Sequence, residues 1–198
     1  MANVATSEII ELIRGLIKDI LVSGGQNSFQ YDSDATFKLS SDRISSDTIV
    51  VYVNETDITS DNWTYAPSTK RLTITSSLTS GDDILVTFSY YEKYSDTELI
   101  KYIKANLTRF TQKNYKKRFY VNSSDEIVTD NGENPTRAEG DIIALVTAID
   151  IDPQNININT RDFTISATEN KSKSEQINIV LSNFLRCPGV LRFLEEED

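Results

Sequence analysis

The chain has 198 residues, of which 38% are hydrophobic and 25% are charged, and its formal net charge is -10. This composition is typical of a globular protein, and the acidic surplus argues against a protein that wraps nucleic acid through a basic face. The chain contains no histidine and a single cysteine, Cys187, which excludes an intrachain disulfide, histidine-ligated zinc and histidine-dependent nucleophilic catalysis.

Other recognisable sites for chemistry are also missing from the sequence. It has no glycine-rich phosphate-binding motif, and the carboxylate pairs Asp82/Asp83 and Asp150/Asp152 lack the spacing of a calcium loop. We therefore expect no enzymatic activity, no cofactor and no metal. The apolar runs are far shorter than the roughly 20 residues of a membrane-spanning helix, and the N-terminus lacks a secretory leader. We therefore expect no membrane association and synthesis in the cytoplasm.

The first predicted element is a helix over residues 6–22. Its apolar residues recur at helical spacing and form a broad stripe, which is typical of a helix that is buried on more than one side. The stripe consists of Ile9, Ile10, Leu12, Ile13, Leu16, Ile17, Ile20 and Leu21. Ser23-Gly24-Gly25 is predicted to end the helix, because glycine tolerates the left-handed conformation that follows a helix. Residues 1–24 are thus predicted to be the N-terminal helix of a helical bundle.

Residues 25–93 change to a period of two, which predicts an inserted β module. Short alternating or β-branched runs are separated by turn signals such as Asn54-Glu55, Pro67-Ser68 and Ser80-Gly81-Asp82. The predicted strands contain Phe29/Tyr31, Phe37/Leu39, Ile49–Val53, Trp63/Tyr65, Leu72/Ile74 and Ile84–Tyr90. Short strands with turn signals between them predict a small antiparallel sandwich or barrel.

A helix with a complete start signal follows, over residues 94–110. Ser95 is predicted to cap it and Glu98 to close a capping box, while Tyr94 and Leu99 can form a hydrophobic staple. Its apolar face consists of Leu99, Ile100, Ile103, Leu107 and Phe110. We expect this helix to join the two parts of the chain and its apolar face to lie at the centre of the helical core.

Two further helices are predicted in the C-terminal part. Thr136 and Glu139 form a capping box before one apolar-periodic run, and Ser172 and Glu175 form another before the last. Pro153 is predicted to end the first of these helices, because proline disfavours helix at the residue before it.

Polar segments connect these helices. Residues 123–134 are predicted to form a hairpin or loop, and residues 155–168 to form a hairpin or an extended arm. The sequence thus predicts an α+β fold, namely a helical bundle with an inserted small antiparallel β module. Residues 94–198 would supply most of the bundle, a hairpin and a C-terminal docking tail.

A concentrated basic run follows the helix over residues 94–110, with Tyr115 and Phe119 interleaved. Its basic residues are Lys113, Lys116, Lys117 and Arg118. Such a run can contact a phosphate backbone or an acidic partner surface. Alternatively, its lysines can protect the edge of an exposed strand from further pairing.

Two stretches resemble virion proteins of tailed bacteriophages. The first consists of Val51-Tyr52-Val53-Asn54, Trp63-Thr64-Tyr65, Leu72-Thr73-Ile74 and Gly81–Tyr90, and resembles a β module of connector, tail and fibre proteins. Glu55 stands where that pattern often has glycine. The second stretch, Tyr94–Ile103, resembles the opening of a core helix in head–tail adaptor (connector) proteins.

The resemblance to the head–tail adaptor family implies a structural virion protein at the head–tail interface. In that family a helical bundle with a β insertion forms a ring of about twelve subunits, which docks beneath the portal protein and extends the DNA channel towards a tail or stopper protein. The C-terminal tail would dock on the portal, with Leu191, Phe193 and Leu194 as candidate contacts. The acidic surplus would suit a channel wall past which DNA slides without specific binding.

The alternative is a tail fibre or baseplate module that binds carbohydrate or another virion protein. Trp63, Tyr65, Tyr90 and Tyr91 could form an aromatic platform for a sugar. Alternating aromatics on strands also serve as core residues or cross-strand pairs. The two hypotheses differ in where these side chains point: a sugar-binding protein should expose them on one face, and an adaptor should bury them.

Overall fold

The computed structural model describes residues 3–113, 115, 117–153, 157–159, 164–166 and 171–185. Within these residues the fold is mixed α+β, as predicted, with four α-helices and several antiparallel sheets. The helices are α1 (Thr6–Ile17), α2 (Asp96–Gln112), α3 (Arg137–Ile151) and α4 (Lys173–Leu185). The chain divides into two compact units, one of residues 19–97 and the other of residues 1–18 together with residues 98–198.

The unit of residues 19–97, here called the β unit, contains two antiparallel sheets. Its strands are β1 (Leu21–Gln30), β2 (Thr36–Lys38), β3 (Val50–Val53), β4 (Thr56–Ile58), β5 (Trp63–Ala66), β6 (Arg71–Ile74) and β7 (Asp83–Tyr91). One sheet has the order β1-β7-β3-β4, and the other has the order β2-β6-β5. Along β7 the side chains of Ile84, Val86 and Phe88 are buried and alternate with more exposed residues, because one face of the sheet covers the core.

A single apolar core fills the β unit. Val51 and Val86 of the first sheet and Leu72 of the second are fully buried in it. The rings of Phe29 and Phe37 also meet, with their centroids 5.0 Å apart. Because both sheets contribute to the same core, neither can lose a strand without exposing residues of the other.

The turn between β3 and β4 has two residues, and both are left-handed. Asn54 has a φ of 48° and Glu55 a φ of 65°, as in the tight turns that match the twist of a hairpin. The Asn54 side chain fixes the turn by donating to Asp82 Oδ1 (2.8 Å) and accepting from the backbone N–H of Asp83 (3.0 Å). Glu55 therefore occupies a position where glycine would carry no steric cost.

The predicted end of the first helix is wrong. α1 ends at Ile17, where Lys18 adopts a left-handed φ of 53°, and β1 begins at Leu21. The residues predicted as the last turn and the glycine stop of the helix, 20–25, lie largely in this strand. Ile20 and Leu21, which extended the predicted apolar stripe, are 60% and 43% exposed.

Contacts distant in sequence decide this boundary. The Asp19 carboxylate accepts a hydrogen bond from the backbone N–H of Lys93 (2.8 Å), and the N–H of Glu92 donates to the Ile20 carbonyl (3.1 Å). Pairing with β7 then continues along β1, with a bulge between Val22 and Gly25. Helical periodicity cannot register this pairing, because the partner strand lies far along the chain.

The other unit, here called the helical unit, is centred on α3. This helix packs against both α1 and α4, and all eight residues from Ile142 to Ile149 are buried. Of the predicted apolar face of α2, Leu99, Ile103, Leu107 and Phe110 are buried and Ile100 is partly buried, while Lys101 and Lys104 on the same helix are exposed. The expectation that the apolar face of α2 lies in the helical core fits this burial, and α3 is the helix that is buried on all sides.

The predicted capping boxes of α3 and α4 are present. The Thr136 N–H donates to Glu139 Oε2 (2.7 Å), and the Ser172 N–H donates to Glu175 Oε2 (2.9 Å). In each box the backbone N–H of the glutamate donates in return to the hydroxyl of the cap. α3 ends at Ile151, shortly before the proline that was predicted to stop it.

Both predicted hairpins occur among the described residues. β8 (Phe119–Val121) pairs with β9 (Ile127–Thr129), and β10 (Asn157–Asn159) pairs with β11 (Thr164–Ser166). The first hairpin starts earlier than residues 123–134, because its turn lies between Val121 and Ile127.

Candidate functional site

The predicted basic run lies between α2 and β8, and its members have different surroundings. Lys113 is partly buried, Lys117 and Arg118 are exposed, and Lys116 lies outside the described residues. β8 begins only at Phe119, so these residues precede the strand. The interpretation that they lie on a strand and protect its edge is therefore wrong for Lys113, Lys117 and Arg118.

The aromatic residues of this run belong to the core of the helical unit. The rings of Tyr115 and Phe119 stack, with centroids 5.9 Å apart and an interplanar angle of 17°. Tyr115 also meets Phe110 edge-on at 6.3 Å and lies 5.8 Å from the ring of Phe184. The interleaved aromatics thus anchor the run to the core and do not present a stacking surface for nucleotide bases.

Glu139 is the centre of a polar cluster that includes one lysine of the basic run, Lys117. This carboxylate is only 3% exposed, and its Oε1 accepts a hydrogen bond from the Tyr115 hydroxyl (2.6 Å). The Lys117 ammonium lies 3.0 Å from the same oxygen. Oε2 accepts from both the backbone N–H (2.7 Å) and the hydroxyl (2.9 Å) of Thr136. Both carboxylate oxygens are therefore occupied.

The electrostatics of the cluster keep Glu139 charged. Burial alone would raise the pKa of Glu139, but the hydrogen bonds from Tyr115, the Thr136 backbone and Lys117 outweigh it and hold the pKa below its usual value. Burial raises the pKa of the Tyr115 hydroxyl, and its bond to the Glu139 carboxylate raises it further. The cluster therefore stays an ionised acceptor with neutral and cationic donors, which is a structural role.

This cluster reduces the charge that the basic run can offer to a partner. Lys117 is neutralised by a buried carboxylate, so Lys113 and Arg118 are the described members that remain for an external contact. Two partly screened charges are too few for strong phosphate binding, which grows with the number of phosphates neutralised.

One carboxylate of each pair considered as metal ligands, Asp82 and Asp150, is held by contacts within the fold. Asp82 accepts from the Thr79 backbone N–H (2.7 Å) and from Asn54, and these two bonds, in that order of strength, hold the pKa of Asp82 below its usual value. The described residues contain no group of three or more Asp, Glu, His or Cys side chains that could hold a metal ion.

Asp150 links three helices of the helical unit. It lies 3.6 Å from Arg109 of α2 and 3.7 Å from Lys173 of α4, and it accepts a hydrogen bond from Asn106 (3.2 Å). These contacts fix the packing of the helices and explain the aspartate at the end of α3.

A polar cavity of about 380 Å³ lies in the β unit. It is bordered by Gly25 and Gln26 of β1, by residues 40–43, and by Phe88 and Tyr90 of β7. Its two charged side chains already have partners within the unit. Asp42 pairs with Lys70 at 3.4 Å, and Arg43 donates to the carbonyl of Glu92. The cavity holds no nucleophile with an adjacent base, so we assign it no catalytic chemistry.

Gly25 shapes the strand beside this cavity. A Cβ atom at this position would collide with the ring of Phe88, the residue opposite it on β7. The glycine therefore lets a buried aromatic ring lie directly over the backbone of β1. The sequence signal for this role, a glycine opposite an aromatic, can be recognised only once the strand register is known.

The aromatic residues of the sugar-binding hypothesis lie in or against the core of the β unit. Trp63, Tyr65 and Tyr90 pack against the buried cluster, and Tyr91 is buried. Burial raises the pKa of the Tyr65 hydroxyl, with nearby carboxylates adding to the effect. These four side chains do not form an exposed platform.

The predicted portal-docking residues, Leu191, Phe193 and Leu194, lie outside the described residues. The site residue that sequence reasoning missed is Glu139, which it treated only as the second half of a capping box. Its contacts with Tyr115 and Lys117 come from a segment more than a dozen residues earlier, and no local pattern indicates them.

No protein-family model matches this chain, and no curated protein sequence matches it. Among the described residues, every helix is too short or too polar to cross a membrane.

Proposed function

We propose that the protein is a structural head–tail adaptor of a tailed bacteriophage, which forms a ring beneath the portal and extends the DNA channel. The observation that carries this proposal is the division of the chain. Residues 1–18 and 98–198 form one compact unit although the whole β unit separates them in sequence. A helical bundle interrupted by a β module is the layout that the resemblance implies.

The contacts of the N-terminal segment support the bundle part of this layout. The Val4 N–H donates to the Pro135 carbonyl (2.8 Å), and the Ile127 N–H donates to the Thr6 hydroxyl (2.7 Å). On the surface of the unit, Arg137 pairs with Glu8 at 3.1 Å. The first helix is thus bound to segments more than a hundred residues later in the chain.

The charge of the chain supports the channel part of the proposal. A net charge of -10 repels DNA, and one lysine of the basic run is neutralised by Glu139. A conduit needs a surface on which DNA slides without binding, and a structural role needs no catalytic residues. We propose that the ring has about twelve subunits and contacts the portal above and a tail or stopper protein below.

The packing of four aromatic side chains in or against the core of the β unit favours this function over the fibre or baseplate alternative. A sugar platform requires aromatic faces that are open to solvent. Trp63, Tyr65, Tyr90 and Tyr91 instead contribute to the core.

The mass of the purified chain in solution tests the proposal, measured by light scattering together with negative-stain images. We expect rings of about a dozen subunits, either alone or after addition of the portal protein of the same phage. A trimer would favour the fibre or baseplate alternative. A chain that stays monomeric and forms no complex with the portal would contradict the adaptor function.

Deletion of Val190–Asp198 tests the portal contact. We expect the shortened chain to keep its fold and to lose attachment to the portal in a pull-down, because the deletion removes Leu191, Phe193 and Leu194. The matched control deletes only Glu195–Asp198, which removes the acidic tip and leaves the apolar residues in place. Undiminished attachment of the longer deletion would refute the assignment.

A further inference from the structure

The two edges of the larger sheet in the β unit differ strongly. β1 forms one edge with ten residues, and β4 forms the other with three. Within the described part of the chain, no strand pairs with the outer side of either. Natural proteins protect exposed edges with charges, prolines or short strands, because an open edge can pair with another chain.

Apart from the bulge between Val22 and Gly25, β1 lacks the usual protection. Its ten residues, Leu21–Gln30, include no charged residue and no proline. Ile20 and Leu21 at its start add apolar side chains that are 60% and 43% exposed. β4, by contrast, is short, carries Asp57 and follows Glu55. The unprotected edge is therefore β1.

The register of β1 shows which backbone groups face outward. The Tyr31 N–H donates to the Asp82 carbonyl (2.9 Å). Because the direction of the backbone groups alternates along a strand, every second residue before Tyr31, namely 29, 27 and 25, also points its N–H and C=O groups at β7. The backbone groups of Gln26, Ser28 and Gln30 consequently point away from β7. They form a row of donors and acceptors that is ready to pair with an added strand.

The strand directions indicate how two copies of the sheet can join. All pairings in the order β1-β7-β3-β4 are antiparallel, so β4 runs opposite to β1. When a second copy continues the sheet in the same orientation, its β4 meets β1 antiparallel, and the alternation is unbroken. Across the two-residue turn that precedes β4, Thr56 pairs with Val53 and points its backbone groups at β3. The backbone groups of the next residue, Asp57, therefore face outward.

The charges of the two edges also favour pairing of β1 with β4. Two copies of a chain with a net charge of -10 repel each other, so their contact must avoid opposing carboxylates. Pairing of β4 with β4 would place Asp57 near its own copy, whereas β1 offers β4 an uncharged partner. Pairing of β1 with β1 would be two-fold symmetric and would close after two copies, so this contact alone could not build the proposed ring of about twelve subunits.

We infer that neighbouring copies of this chain join by β-strand addition, with the outer edge of β1 in one copy pairing antiparallel with β4 of the next. This contact specifies the subunit interface of the proposed ring, and its role in a ring rests on the proposed function. The outward backbone groups of β1 around Ser28 provide the attachment, because Asp57 is the residue of the three in β4 whose N–H and C=O face outward.

Crosslinking tests this inference in the full chain. In a Cys187→Ser background, we combine Ser28→Cys with Asp57→Cys and treat the protein with a short bis-maleimide. We expect a ladder of covalent multimers from the double variant, and monomers from each single-cysteine variant. Absence of the ladder both from the chain alone and after addition of the portal protein overturns the inference, and covalent dimers from Ser28→Cys alone overturn it in favour of two-fold pairing.

Proline variants test the hydrogen bonds themselves. Ser28→Pro removes an N–H that faces outward and spares the pairing with β7, and Asp57→Pro does the same for β4. We expect each variant to assemble about tenfold more weakly than the wild type, and an equimolar mixture to form heterodimers through the one intact contact. Ser28→Ala is the control and should assemble normally. Normal assembly of either proline variant that retains its circular dichroism spectrum overturns the inference.

The outcomes separate this inference from the adaptor function. Rings in negative stain without a crosslinked ladder would overturn the strand contact and leave the adaptor function in place. A ladder from open filaments would support the strand contact and count against a closed ring.

Discussion

At the scale of single residues, a substitution of Glu139 tests its contacts with Tyr115 and Lys117. Glu139→Gln removes the charge that holds Tyr115 and Lys117, and we expect the free energy of unfolding to fall by about 2 kcal/mol. Urea denaturation followed by circular dichroism measures the change. Glu175→Gln is the matched control, because it alters the equivalent capping box of α4 at an exposed site and should cost clearly less. Equal losses would show that the contacts of Glu139 beyond the box have no effect.

The stability difference between wild type and Glu139→Gln should depend on pH. The folded state lowers the pKa of Glu139 from its usual value of about 4.5, so the ionised carboxylate stabilises the fold above that pH. The contribution is lost as the pH falls through the folded-state pKa, where the carboxylate takes up a proton. Denaturation curves near pH 7 and near pH 3 should therefore show a smaller difference at the acidic pH. An unchanged difference would refute the ionised state of Glu139.

Glu55 is a second residue with a specific cost. Its φ of 65° lies in the left-handed region, which costs a residue with a Cβ about 1–2 kcal/mol relative to glycine. Glycine also gives the unfolded chain more freedom, so we expect Glu55→Gly to stabilise the protein by about 0.5–1 kcal/mol in urea denaturation. Glu133→Gly provides the control, because Glu133 is exposed but lies outside the left-handed region, and it should lose stability. A loss at position 55 would contradict the backbone explanation.

At the scale of whole elements, substitutions of two helical glycines distinguish the effect of helix propensity on stability from the effect of packing. Gly15 of α1 has no atom near the position of a Cβ, whereas at Gly140 of α3 a Cβ would lie 2.5 Å from Val4 Cγ1 and 3.3 Å from Ile9 Cγ1. We expect Gly15→Ala to raise the melting temperature, because alanine favours helix by about 1 kcal/mol. Gly140→Ala should lower it through overpacking of about 1–3 kcal/mol against the N-terminal segment and α1. Stabilisation by both substitutions would refute the close packing at Gly140.

The same scale shows which elements the sequence could predict. The capping boxes at Thr136 and Ser172 and the alternation of β7 are local signals, and the elements that they predicted are present. The boundary between α1 and β1 is not local. Ile20 and Leu21 fit a helical stripe equally well, and pairing with β7 far along the chain places them in an exposed part of a strand.

The candidate site was predictable only in part for the same reason. The lysines and aromatics between α2 and β8 stood out as a charged, aromatic run. Their separation into a buried ring, a neutralised lysine and an exposed arginine depends on Glu139, which lies at the start of another helix. Contacts between distant segments leave no periodicity in the sequence.

At the scale of the whole molecule, the division into two units predicts that the β unit can be removed. The core of residues 19–97 consists entirely of their own side chains. The chain also enters and leaves this unit along adjacent backbone, because the Glu92 N–H donates to the Ile20 carbonyl at 3.1 Å. A short linker of glycine and serine can therefore replace residues 19–94, which leaves the predicted cap Ser95 and the whole of α2 in place.

We expect both products of this excision to fold. The linked helical unit should retain helical circular dichroism and unfold cooperatively, and the isolated fragment of residues 19–97 should give a dispersed amide NMR spectrum. A fragment of residues 32–97 is the matched control: it lacks β1, so β7 becomes an edge strand and Phe88 loses the cover of Gly25, and we expect it not to fold. Non-cooperative melting of the linked helical unit would show that the helices depend on the β unit, and it would exclude a helical bundle with an independent insertion.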